Sequence, residues 1–208
     1  MIKRGISKNY FHMEPSDEQL IFDQRLIDRF LIENKDPRDS GLDYNNIETK
    51  ILIYEDRVKG WFLEIGEKLK QDNEAGFVII QIALSCMEGN QQYIEGEISR
   101  NRSKLFFIKS MKRIFPDSSQ VKNIDEILGI FYDQVRCGLF HDGMTRSVVT
   151  INAEHKSAID FTSSDIVVNP HKFLDSIRKA FEDYIMELKN PSNTALRQNF
   201  EKRWNIIN

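Results

Sequence analysis

The chain has 208 residues, 40% of them hydrophobic and 29% charged, with a formal net charge of -3. That size suits one principal hydrophobic core with a small appendage. The interspersed charge gives no global attraction to nucleic acid or anionic lipid, so a polyanion site has to be local. No apolar run approaches the roughly 20 residues a bilayer span needs, and the opening MIKRGISKNYFHME lacks the apolar stretch of a secretory signal, which predicts a cytoplasmic protein without a membrane partner. Cys86 and Cys137 are the only cysteines, and in that compartment they are expected reduced and buried rather than paired.

Residues 1–43 read as an accessory N-terminal segment. Within it, residues 16–32 place Leu20, Ile21, Leu26, Ile27, Phe30 and Leu31 among charges, the pattern of a short helix, and NKDPRDSGLD at 34–43 has the composition of a loop or domain edge. The main helical domain is assigned to 44–190. Its first helix is marked by Ile51, Tyr54, Val58, Trp61, Phe62, Ile65 and Leu69 at steps of three and four, a stripe that should face the core. After Gln71, Asp72 and Asn73 comes AGFVIIQIALSCMEG, apolar on nearly every side and therefore expected to be the central helix.

A third helix over 99–115 carries Arg100, Arg102, Lys104, Lys109, Lys112 and Arg113 without an acidic residue, and Pro116 follows it. These cations are candidates to track a phosphate backbone, Arg100, Arg102 and Lys104 foremost, but a solvated face explains them as well. The fourth helix starts at Asn123 with Glu126 three residues on, the form of a capping box, and runs through Leu128, Phe131 and Val135 to His141, with Gly143 as terminator. SVVTIN, AIDF and DIVVN then predict a β-hairpin or three-stranded meander over about 147–168. Asn169 and Pro170 cap the last long helix, whose apolar face is Phe173, Ile177, Phe181, Tyr184 and Leu188. Residues 191–208 read as a tail or short helix, with Leu196, Phe200 and Trp204 spaced by four but little for its end to pack on.

The motifs of several chemistries are missing. His12, His141, His155 and His171 show no ligand spacing, so no metal or other cofactor is implied, and the glycine loops of nucleotide-binding proteins are absent. What stands out is RCGLFH at 136–141, where a permanently charged guanidinium precedes an imidazole that titrates near neutrality. Such a pair can hold a phosphate and move a proton. On an ideal α-helix five residues leave the two side chains about 140° apart, so the pairing is expected to need the helix to end nearby, aided by Gly138. A plain structural account also exists: Arg136 pairing with Glu88 or Asp133, and His141 stabilising a helix terminus. Glu88, a carboxylate among apolar neighbours, is expected either to orient Arg136 or His141 or to face solvent. Tyr93 and Tyr132 suit base stacking or core packing.

RCGLFH, late in a helical domain and followed by Asp142 and Gly143, resembles the R-x4-6-H signature of the HEPN superfamily, and the succession of helices over 44–190 resembles its architecture. The fold implied is mainly α, a HEPN-like helical bundle with a small β insert before the last long helix, an insert that resembles uncharacterised prokaryotic branches of that superfamily. By that resemblance, the protein is a homodimer that cleaves RNA as a metal-independent endoribonuclease or binds RNA, in a toxin-like or defence setting with an antitoxin-like protein partner. Arg136 and His141 are then catalytic, Glu88 and Asp142 supporting, and the product a 2′,3′-cyclic phosphate. Many catalytic members have a polar residue directly after the arginine where this chain has Cys137. The resemblance therefore also admits a catalytically silent dimer that binds nucleotide or a protein, and a purely structural interaction domain remains the third alternative.

Overall fold

The computed structural model describes residues 3–5, 10–13, 17–22, 45–145, 148–161 and 165–207. Three N-terminal strands, β1 (Lys3–Gly5), β2 (Tyr10–Met13) and β3 (Asp17–Phe22), form an antiparallel sheet in chain order, with Arg4 opposite His12 and Phe11 opposite Ile21. The helix expected over 16–32 is thus replaced by a strand at 17–22, and the rest of that expectation, like the loop at 34–43, lies outside the described residues. A short apolar run is ambiguous between the two periods, and a strand partner elsewhere in the chain resolves it.

The helical body begins at Asn46, whose side chain accepts the Glu48 N–H at 2.8 Å and caps α1 (Ile47–Val58). A π-helical turn (Lys59–Leu63) joins it without a break to α2 (Glu64–Leu69), the Glu64 N–H reaching back five residues to the Lys59 carbonyl. That extra residue rotates the apolar stripe. Burial passes from Val58 to Leu63 and Gly66, while Trp61 and Ile65, expected in the core, stand 45% and 42% exposed.

Helix α3 (Gly76–Glu95) is central, as its composition predicted, and packs against α2, α4 (Ser103–Ile114), α6 (Pro170–Lys189) and α7 (Thr194–Ile207). Ile79, Ile80, Ala83, Leu84 and Met87 are its fully enclosed face, but Phe77 and Val78 in its first turn are exposed, so it is not covered all round. Helix α5 (Ile124–Phe131) runs on through two π-helical turns, Tyr132–Arg136 and Gly138–Asp142, and stops at Gly143, whose φ of +71° is the left-handed conformation glycine takes without strain. The capping box at its start does not form. Asn123 itself adopts a left-handed φ of +59°, and its side chain makes no capping hydrogen bond.

The predicted β insert is a three-stranded sheet of β4 (Val149–Ile151), β5 (Ile159–Asp160) and β6 (Ile166–Val168), in the order β4-β6-β5. It is no meander, because β6 enters between the other two, parallel to β4 and antiparallel to β5. Asn169, only 1% exposed, ties it to the bundle: its Oδ1 accepts from the His171 and Lys172 N–H groups as the cap of α6, and its Nδ2 donates to the Ala153 and His155 carbonyls.

The C-terminal helix is integral, contrary to the expectation of a tail with little to pack on. Phe200 and Trp204 are 0% and 1% exposed and belong to the main core. Phe200 meets the Tyr54 and Tyr93 rings at centroid distances of 5.6 and 5.4 Å, and Asn199 donates from Nδ2 to the Ile94 carbonyl at the end of α3. Both cysteines are free, and Cys86 is buried as expected, whereas Cys137 is only partly buried. Burial pushes the Cys86 thiol up to about 12, which keeps it protonated and inert.

Candidate functional site

Arg136 and His141 lie in one continuous helical run, and the helix does not end between them. The two π-helical turns change the geometry that an ideal α-helix imposes, since each is closed by bonds between residues five apart; the Cys137 N–H, for example, reaches the Tyr132 carbonyl. A residue five positions on is thereby returned towards the same side of the helix. The expected role of Gly138 is accordingly different. It does not terminate the helix but admits the chain returning beyond Gly143: a β-carbon at 138 would lie 2.6 Å from the Met144 carbonyl oxygen.

The Arg136 guanidinium is fixed from three directions. Glu88 on α3 accepts from Nε at 2.9 Å and from Nη2 at 3.3 Å, so the carboxylate does orient the arginine. The Phe140 ring lies against it with its centroid 4.4 Å from Cζ, and the Tyr132 ring stands at 5.7 Å, both within the range of cation–π attraction. Burial pushes the Glu88 carboxyl above the usual carboxylate range, and the Arg136 hydrogen bonds and charge pull it only part of the way back. For Arg136 burial opposes the charge, but the bonds and charge of Glu88 outweigh it and the pKa is raised. The guanidinium is therefore a permanent cation with some of its side chain, 23%, open to solvent.

His141 and Asp142 are exposed at the end of the same run, and His141 makes no hydrogen bond or ion pair among the described residues. Neither Arg136 nor His141 is sealed in hydrocarbon. Asp133, the other partner considered for the arginine, takes Lys104 Nζ at 2.7 Å, and the arginine meets Glu88 instead. Of the two tyrosines considered for stacking, Tyr93 is core at 4% exposure, whereas Tyr132 packs edge-on to Phe107 at 5.3 Å beside the site.

The basic helix is less basic than its sequence. Arg102 pairs with Glu97, Lys104 with Asp133, Lys109 with Glu95 and Lys112 with Asp125. Arg100 is exposed and carries a positive φ of 37° in the turn that enters α4. Most of these cations thus meet carboxylates from neighbouring elements, and the arrangement favours a solvated face over a bare phosphate track.

Sequence reasoning missed Phe140 as a member of the site. Its spacing of four from Arg136 was the available signal, because such a pair can meet along a helical surface. Among the described residues no cluster of three or more His, Cys, Asp or Glu is placed to hold a metal, and no helix is long and apolar enough to cross a membrane. No known protein family, no curated protein and no solved structure matches this chain.

Proposed function

We propose that this protein is a HEPN-like, metal-independent endoribonuclease that works as a cytoplasmic homodimer, in a toxin-like or defence setting with an antitoxin-like partner. What supports the reading is an oriented, partly open guanidinium and an exposed imidazole carried five residues apart on one helical run with two π-helical turns. Glu88 occupies two of the five N–H donors of Arg136, which leaves the others for a phosphate oxygen. In this mechanism the ribose 2′-oxygen attacks the adjacent phosphorus and the bond to the 5′-oxygen breaks. His141 accepts the proton of the 2′-hydroxyl or protonates the departing 5′-oxygen, and Arg136 stabilises the charge that grows on the phosphoryl oxygens. The products are a 2′,3′-cyclic phosphate and a 5′-hydroxyl.

The test is cleavage of total RNA in the presence of a chelator by the wild-type protein and by the Arg136→Ala and His141→Ala variants. Loss of about 100-fold or more in either variant is expected for a residue that transfers a proton or stabilises phosphoryl charge. An unchanged rate in both variants overturns the reading.

A second reading is supported by the same ion pair. Glu88 already neutralises Arg136, and Cys137 stands where many catalytic members carry a polar residue, features that suit a catalytically silent dimer binding nucleotide or a protein partner. RNA or nucleotide binding without cleavage selects it.

A further inference from the structure

Far from RCGLFH in the sequence, α3, α4, α6 and α7 enclose a cleft of about 400 Å³, within the size range of small-molecule sites. Its apolar lining comes from Ile94, Ile114, Ala180 and Leu196. Two polar residues of its lining, the exposed Arg113 and the buried Tyr184, have unmatched side-chain groups. Lys104, Lys109 and Lys112 of α4 each pair with a carboxylate, but Arg113 donates only from Nε to Gln91 Oε1, at 3.3 Å, and meets no carboxylate among the described residues. Tyr184 lines the same cleft at 5% exposure, and its hydroxyl has no hydrogen-bond partner among the described residues. A buried hydroxyl left without a partner costs on the order of 1–3 kcal/mol, so such groups in folded proteins are normally satisfied.

The other cation of the cleft is already engaged. Lys179 is paired with Asp183 at 3.0 Å, and Glu187 accepts a hydrogen bond from Asn193 Nδ2. The unmatched donors are therefore cationic or neutral, and the unmatched surface is hydrocarbon.

We propose that this cleft binds a small organic monoanion, its carboxylate or phosphate head on the free guanidinium edge of Arg113 and its apolar body against Ile94, Ile114, Ala180 and Leu196. Lys179, the other cation of the lining, is paired with Asp183, so a second anionic end finds no free cation there. This site is independent of the ribonuclease reading.

Hexanoate is the probe, with 1-hexanol, inorganic phosphate and adipate as controls for the charge alone, the body alone and the second anionic end. Titrations followed by two-dimensional amide NMR on the full chain are expected to give saturable hexanoate shifts at Arg113, Ala180 and Leu196. Each control should bind at least about tenfold more weakly, a difference of about 1.4 kcal/mol. Arg113→Gln, a surface change that leaves the core intact, should weaken hexanoate by a similar factor, and Tyr184→Phe, which conserves the packed ring, should weaken it less. Equal binding of hexanoate and hexanol, equal binding to wild type and Arg113→Gln, or the absence of saturable shifts at these residues overturns the proposal.

Discussion

Glu88 holds Arg136 through two hydrogen bonds across 48 positions of sequence, and so fixes the last part of the α5 run against the central helix α3. With only 15% of the Glu88 side chain open to water, Glu88→Ala leaves a partly buried guanidinium without its acceptor. A loss of about 2 kcal/mol is expected for hydrogen bonds to a charged group, measured by urea denaturation.

The same carboxyl gives a pH dependence of definite sign. Because burial raises its native pKa above the ordinary carboxylate range, the folded state retains the proton through a window in which the unfolded chain has released it. The Glu88 contribution to stability is then full below that window and declines as pH rises through it. Glu55 has the opposite sign: burial raises its pKa, but Lys189 and Lys59 overcome burial and lower it, so its contribution is present above the usual carboxylate range and lost as pH falls. Denaturation from pH 3 to 7, taken as about the carboxylate range, should show the Glu88→Gln difference shrinking with rising pH and the Glu55→Gln difference growing.

Gly138→Ala places a methyl 2.6 Å from the Met144 carbonyl oxygen, a backbone atom that cannot turn aside. The expected cost is about 1–3 kcal/mol, the scale of overpacking, together with displacement of the run that carries His141. Thermal melts of this variant beside Gly143→Ala, which meets no atom but is strained by its positive φ, separate close contact from backbone strain.

His141→Ala should leave stability within about 0.5 kcal/mol of wild type, as for surface substitutions away from special features. His141 is exposed and makes no hydrogen bond or ion pair among the described residues. If the variant loses RNA cleavage with an unchanged melting temperature, the loss is chemical rather than structural.

The two tryptophans report on different places, Trp204 in the core at 1% exposure and Trp61 on the surface at 45%. Trp204→Ala should cost about 3–5 kcal/mol as a large core truncation. In Trp61→Phe the remaining emission should be blue-shifted and poorly quenched by iodide, which checks that the C-terminal helix is docked.

Much of the helical body was legible because its signals are local. The enclosed composition of α3, the Asn169–Pro170 start of α6 and the stop at Gly143 each depend on residues within a turn or two. The same locality misled at Trp61 and Ile65: a 3.6-residue period assigns them to the core, and a single π-helical turn, which contains Trp61 and precedes Ile65, moves them to the surface. Asn123 and Glu126 have the residue types of a capping box, but the left-handed backbone of Asn123 denies it the geometry.

From the sequence alone came the mainly helical class, the position of the β insert and the choice of Arg136, His141 and Glu88 as residues to watch, because periodicity, cap chemistry and charge are written in neighbouring residues. Tertiary structure decided that Glu88 rather than Asp133 takes Arg136, that Phe140 covers the guanidinium, that β6 lies between β4 and β5, and that α7 completes the core. Each of these depends on which distant surfaces meet once apolar faces are buried, and a guanidinium, a strand edge or an aromatic ring accepts any partner of the right chemistry that packing brings within reach.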